Sequence, residues 1–78
     1  MTFHYENDGE FVTWDQLQAN LGDIIEFRRL SFISYDWGYA HWGIYHGERI
    51  IHLVNLNNGT GAVTFQSLET VANGDLCR

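Results

Sequence analysis

The sequence predicts a small α+β domain: an antiparallel sheet of about four strands around a hairpin at 40–55, with a short N-terminal helix. Three observations predict it. A capped, helix-spaced segment sits near the start. A series of β-branched runs follows, and a two-residue Gly47-Glu48 connection joins two of those runs.

Seventy-eight residues allow one domain. A chain this short buries only about 60% of its unfolded surface, so its stability is thin. Its 45% hydrophobic and 15% aromatic content still favours a packed globule over a disordered segment. Ten acidic residues against four arginines give a formal charge of -6. That balance excludes the basic footprint of nucleic-acid binding and gives no polybasic reason to sit on an anionic membrane. Cys77 is the single cysteine, so no internal disulfide framework is expected. With no signal-like or membrane-spanning run, the expected setting is cytoplasmic, membrane-associated in a full-length protein at most.

Residues 1–21 read as an arm followed by the short helix. MTFHYENDGE has no clear period, with a short strand expected around Phe3–Tyr5. Thr13 and Gln16 then form a T-x-x-Q capping box, Asp15 suits the helix start and Gly22 can stop it. One to two turns over Trp14–Asn20 would bury Trp14, Leu17 and Leu21. From Gly22, D-I-I-E-F-R-R-L reads as a strand with Glu26, Arg28 and Arg29 on a solvated edge. The aromatic stretch SFISYDWGY carries turn chemistry at Asp36–Gly38 and reads as a loop that packs or lids.

Strands Ala40–His46 and Arg49–Asn55 follow. Gly first in the two-residue link suits a type II′ turn. The Gly-rich loop after Asn55 leads to a short strand, Ala62–Phe65. Ser67–Ala72 reads as a brief helix, capped by Ser67 and ended by Asn73-Gly74. The expected core is Trp14, Leu17, Ile25, Phe27, Trp42, Ile44, Ile51 and Leu53.

The hairpin brings two histidines together. With Gly47 and Glu48 in the turn, His46 faces Arg49, Tyr45 pairs with Ile50, Ile44 with Ile51, Gly43 with His52 and His41 with Val54. Side chains alternate faces, so His41 and His52 share one and lie diagonally within roughly 7–8 Å. Gly43, opposite His52, leaves room between them, and His46 points away. Such a pair can start a zinc site, but no third ligand is aimed at that face, so no metal is expected. The other chemistry is a general base, His41, oriented by His52 beside a thiol or hydroxyl. Against both stands the plain reading of two half-buried sheet histidines bonded to backbone.

The run Gly22-Asp-Ile-Ile-Glu-Phe27, then Ala40-His-Trp-Gly-Ile-Tyr45, then Gly47 and Ile50-Ile-His-Leu53, resembles the lecithin:retinol acyltransferase-like domain family. That family includes the HRAS-like suppressor phospholipase/acyltransferases and the viral H-box/NC proteins, and belongs with the NlpC-type papain-like thiol enzymes. The likeness covers residues 22–53 well and the stretch to Arg78 more loosely. It implies that residues 22–78 are the histidine part of such a domain. It further implies His41 as general base to a cysteine, His52 as the residue that orients it, and Tyr39 as a neighbour of the oxyanion site. Phospholipid or acyl-lipid is the implied substrate, with no cofactor. The thioester splits one hard acyl transfer into two easier ones.

The family's nucleophile lies in an Asn-Cys-[EQ]-[HN]-F motif heading a helix, and this chain has no such motif. Cys77, in Asp75-Leu-Cys-Arg78, is the one thiol available; its flanks do not match, and it reads as structural. The expectation is a partial, by itself inactive, thiol acyltransferase domain. An unpaired sheet edge would then invite a homodimer or strand swap. The alternative is a non-catalytic H-box-type module that binds a protein or lipid through its aromatic segment.

Overall fold

The computed structural model describes residues 6–29, 39–55 and 59–78, with the backbone alone for Glu6 and Tyr39. The strand expected at Phe3–Tyr5, the loop at 30–38 and its turn at Asp36–Gly38 lie outside the described residues. Four strands, β1 (Ile24–Arg29), β2 (Tyr39–Tyr45), β3 (Arg49–Asn55) and β4 (Gly61–Ser67), form one antiparallel sheet in the order β1-β2-β3-β4. An α-helix, α1 (Leu68–Ala72), follows β4 directly. Ser67 caps it by accepting from the Thr70 N–H at 3.1 Å, and Asn73 ends it in the left-handed region. Both are the residues the sequence nominates for those tasks.

The N-terminal helix does not form. Trp14–Gln16 is a single 3-10 turn, Thr13 makes no side-chain cap, and Leu17 is already extended at ψ 128°. A segment of two turns cannot repay its nucleation without an apolar face to pack. Trp14 and Leu21, the residues meant to supply that face, are exposed. Of the three residues expected on that face, Leu17 alone packs against the core, beside Ala19. The backbone turns at Gly22 instead, where the Gly22 N–H donates to Tyr45 O and Asp23 O accepts from the Tyr45 N–H. Strand β1 is thereby aligned with β2 from its first residue.

Register divides the sheet into two faces. Ile25 sits opposite Gly43, Phe27 opposite His41, and Ile50 opposite both Tyr45 and Gln66. This inner face is closed by Leu68, Val71 and Ala72 of α1 and by Cys77, making a buried core with Ile25, Phe27 and Ile50. The expected core is therefore half corrected. Ile25 and Phe27 belong to it, but Trp42, Ile44 and Leu53 lie on the outer face and are exposed, and Ile51 there is only partly covered. Apolar content marks the outer face as the better core, yet burial goes to the face on which α1 docks.

Arginines fasten that docking. The Arg29 guanidinium donates to Val71 O and Ala72 O at the end of α1 and to Asp75 at 2.8 Å. Arg78 reaches Glu26 Oε1 at 3.2 Å and Gly9 O at 2.8 Å. Of the three charged residues expected on a solvated edge, only Arg28 is exposed. Glu26 is buried and Arg29 half-buried. The backbone of Leu76–Arg78 also pairs with β1: Glu26 and Arg78 exchange both amide bonds, and Arg28 N–H donates to Leu76 O. The β1 edge is thus covered, while β4 has no outer neighbour among the described strands.

Candidate functional site

The site is built by the β2–β3 hairpin. His46 N–H donates to Arg49 O at 2.7 Å, and the pairs Tyr45–Ile50, Ile44–Ile51 and Gly43–His52 follow in the register the two-residue turn dictates. The turn itself differs from expectation. Gly47 and Glu48 both have positive φ, 61° and 68°, which makes it type I′ rather than II′. Both turn types give the same register, so the placement of the histidines is unaffected.

His41 Nε2 and His52 Nδ1 are 2.8 Å apart, with the rings edge-on at 84°. The two side chains meet directly, closer than the diagonal spacing of their backbones requires. His52 is buried and His41 half-buried. Space for the pair comes from Gly43: a Cβ there would collide with the Ile50 side chain and crowd Ile51 O and His52 Cβ. On the side toward β1 the Phe27 ring lies 6.2 Å from that of His41. Burial holds the His41 pKa below its ordinary value of 6.5, and the Arg29 cation and His52 add to the effect. A neutral His41 keeps a lone pair available at neutral pH, the state a general base needs.

A third residue joins them. Gln66 on β4 places its Oε1 2.6 Å from His52 Nε2. The sequence does hold a signal for it. Along β4, Val63 and Phe65 face out while Thr64 and Gln66 face the buried side, an inversion of the usual apolar-in pattern. A strand taken to stop at Phe65 misses it by one residue.

Both ring nitrogens of His52 are thus engaged, and among the described residues no three of His, Cys, Asp and Glu gather to hold a metal ion. Tyr39 opens β2 opposite Arg29, and its side chain lies outside the described part. Cys77 is on the same face as His41 but across β1, directly opposite Phe27. Two strand spacings, roughly 10 Å, separate their backbones, with the Phe27 ring between. The thiol is fully buried, points at Val12 O at 3.6 Å, and is pushed up to about 11 by burial. It is held as a thiol.

No family model, curated protein or solved structure matches the chain. No helix is long and apolar enough to cross a membrane among the described residues.

Proposed function

We propose that residues 22–78 carry the histidine half of a thiol acyl-transfer site of the lecithin:retinol acyltransferase-like kind, acting on phospholipid acyl chains. The single observation behind this reading is the direct 2.8 Å contact of His41 with His52 on the inner sheet face. His41 is the general base and His52 orients it. The nucleophilic cysteine comes from outside these residues, since Cys77 is locked and protonated.

In this scheme His41 takes the thiol proton, and the thiolate sulfur attacks the ester carbonyl carbon of the lipid. The carbon–oxygen bond to the glycerol breaks, and the departing alkoxide takes the proton back from the His41 imidazolium. Water, an amine or retinol then attacks the thioester, and the thiol is released. General-base help of this kind is typically worth about 10²–10⁴-fold.

The test supplies the thiol. The chain is mixed with 2-mercaptoethanol and phosphatidylcholine vesicles, and acyl thioester is measured by mass spectrometry. The wild-type chain accelerates thioester formation, Cys77→Ala does the same, and His41→Ala loses about tenfold or more. Equal rates for wild type and His41→Ala sink the proposal.

A second reading is a lipid-binding module without chemistry, and the outer sheet face favours it. Trp42, Ile44, Leu53, Val63 and Phe65 are 42–76% exposed there. An apolar patch of that breadth marks an interaction surface. On this reading phosphatidylcholine vesicles shift the Trp42 fluorescence to the blue, and Leu53→Asp abolishes the shift. Emission unchanged by vesicles removes the reading.

A further inference from the structure

We infer that Gln66 is a positioning residue that sets the tautomers of both histidines and so assigns Nδ1 of His41 as the proton-accepting atom. The inference deepens the acyl-transfer reading and rests on it for the use made of that atom, but not for the tautomers themselves.

The hydrogens run in one direction along β4, β3 and β2. An amide oxygen can only accept, so Gln66 Oε1, 2.6 Å from His52 Nε2, requires a hydrogen on that nitrogen. A neutral imidazole carries one N–H, so Nδ1 of His52 is left with its lone pair. At 2.8 Å from that lone pair, His41 Nε2 must be the donor. The His41 hydrogen is then spent on Nε2, and Nδ1 is the free base. No hydrogen bond to Nδ1 occurs among the described residues.

The direction of this chain matters for the chemistry. A donor in place of Gln66 Oε1 would reverse every bond: His52 would donate from Nδ1, His41 Nε2 would accept, and Nδ1 of His41 would carry the hydrogen. A donor there cannot take a thiol proton. One amide on β4 therefore decides whether the outermost ring is a base or an acid. Its neighbours hold it in place, because Gln66 sits directly opposite the buried Ile50 and one residue before the Ser67 cap of α1.

The test reads tautomers in the 15N-labelled chain by two-bond proton–nitrogen correlation at pH 8, where no thiol or lipid is needed. In the wild type both rings show the N–H at Nε2, by about tenfold or more over the alternative. Gln66→Leu removes the acceptor, and the His52 and His41 patterns collapse toward a mixture. Gln66→Glu keeps an accepting oxygen and preserves the wild-type pattern, while its charge moves the His41 titration upward. A wild-type His41 bearing its hydrogen on Nδ1, or a Gln66→Leu pattern equal to wild type, overturns the inference. If Gln66→Leu fails to fold, the wild-type pattern and the Gln66→Glu titration still decide. Failure of thioester formation with intact tautomers would count against the acyl-transfer reading alone.

Discussion

Gly43 lies directly opposite His52 in the hairpin, and its missing side chain is the space in which Ile50 and the histidine pair sit. Gly43→Ala places a methyl group against Ile50 Cγ2 and the strand β3 backbone. Overpacking of this kind costs about 1–3 kcal/mol. Urea unfolding should show a midpoint lowered to that extent with an unchanged slope. A variant as stable as wild type contradicts the packing.

Arg29 ties the site to the helix that closes the core. Arg29→Met removes the donors to Val71 O and Ala72 O and the partner of Asp75. Losing charged hydrogen bonds that are partly buried is expected to cost about 2 kcal/mol. The same substitution removes a cation that lowers the His41 pKa, so the His41 titration should move up. NMR titration with denaturant unfolding checks both. A stability loss with no movement of His41 would separate the two roles and contradict the electrostatic one.

Stability should depend on pH through His41. Its pKa in the fold is lowered by burial, by Arg29 and by His52, so below 6.5 the unfolded chain binds the proton more readily than the folded one. The linkage sign follows: stability is full above about 6.5 and falls as pH drops toward the folded value. Between pH 7.5 and 5.5 the wild type should lose more stability than His41→Gln. Parallel curves for the two proteins would contradict it.

Glu48 occupies a left-handed turn position, at φ 68°, that side chains disfavour. Glu48→Gly should raise stability by about 1 kcal/mol without changing the hairpin register. A loss of stability in thermal unfolding would contradict the type I′ assignment.

The parts of this fold that were legible in the sequence are those fixed locally. A two-residue link ties Tyr45 to Ile50 and leaves no freedom in which residues of β2 and β3 share a face, so the meeting of His41 and His52 can be read directly. Ser67 and Asn73-Gly74 mark α1 for the same reason. The register of β1 on β2 is set across the residues between Arg29 and Tyr39, with no short turn to count from. Ile25 and Phe27 could therefore not be assigned to the same face as His41, and the expected core mixed two faces. The choice between those faces depends on α1, Arg29 and the Leu76–Arg78 pairing with β1, contacts more than forty residues apart in sequence. Thr13-x-x-Gln16 shows the converse: a local helix signal loses when Trp14 and Leu21, two of the three residues on the face it would bury, stay exposed.

The central claim is that the sheet hydrogen-bonds His41 to His52, and a through-hydrogen-bond 15N–15N correlation measures it directly. With 2.8 Å between His41 Nε2 and His52 Nδ1, the account predicts a cross-peak joining these two nitrogens, lost in His52→Ala. A fully labelled, folded sample with slow N–H exchange and no such cross-peak would contradict it.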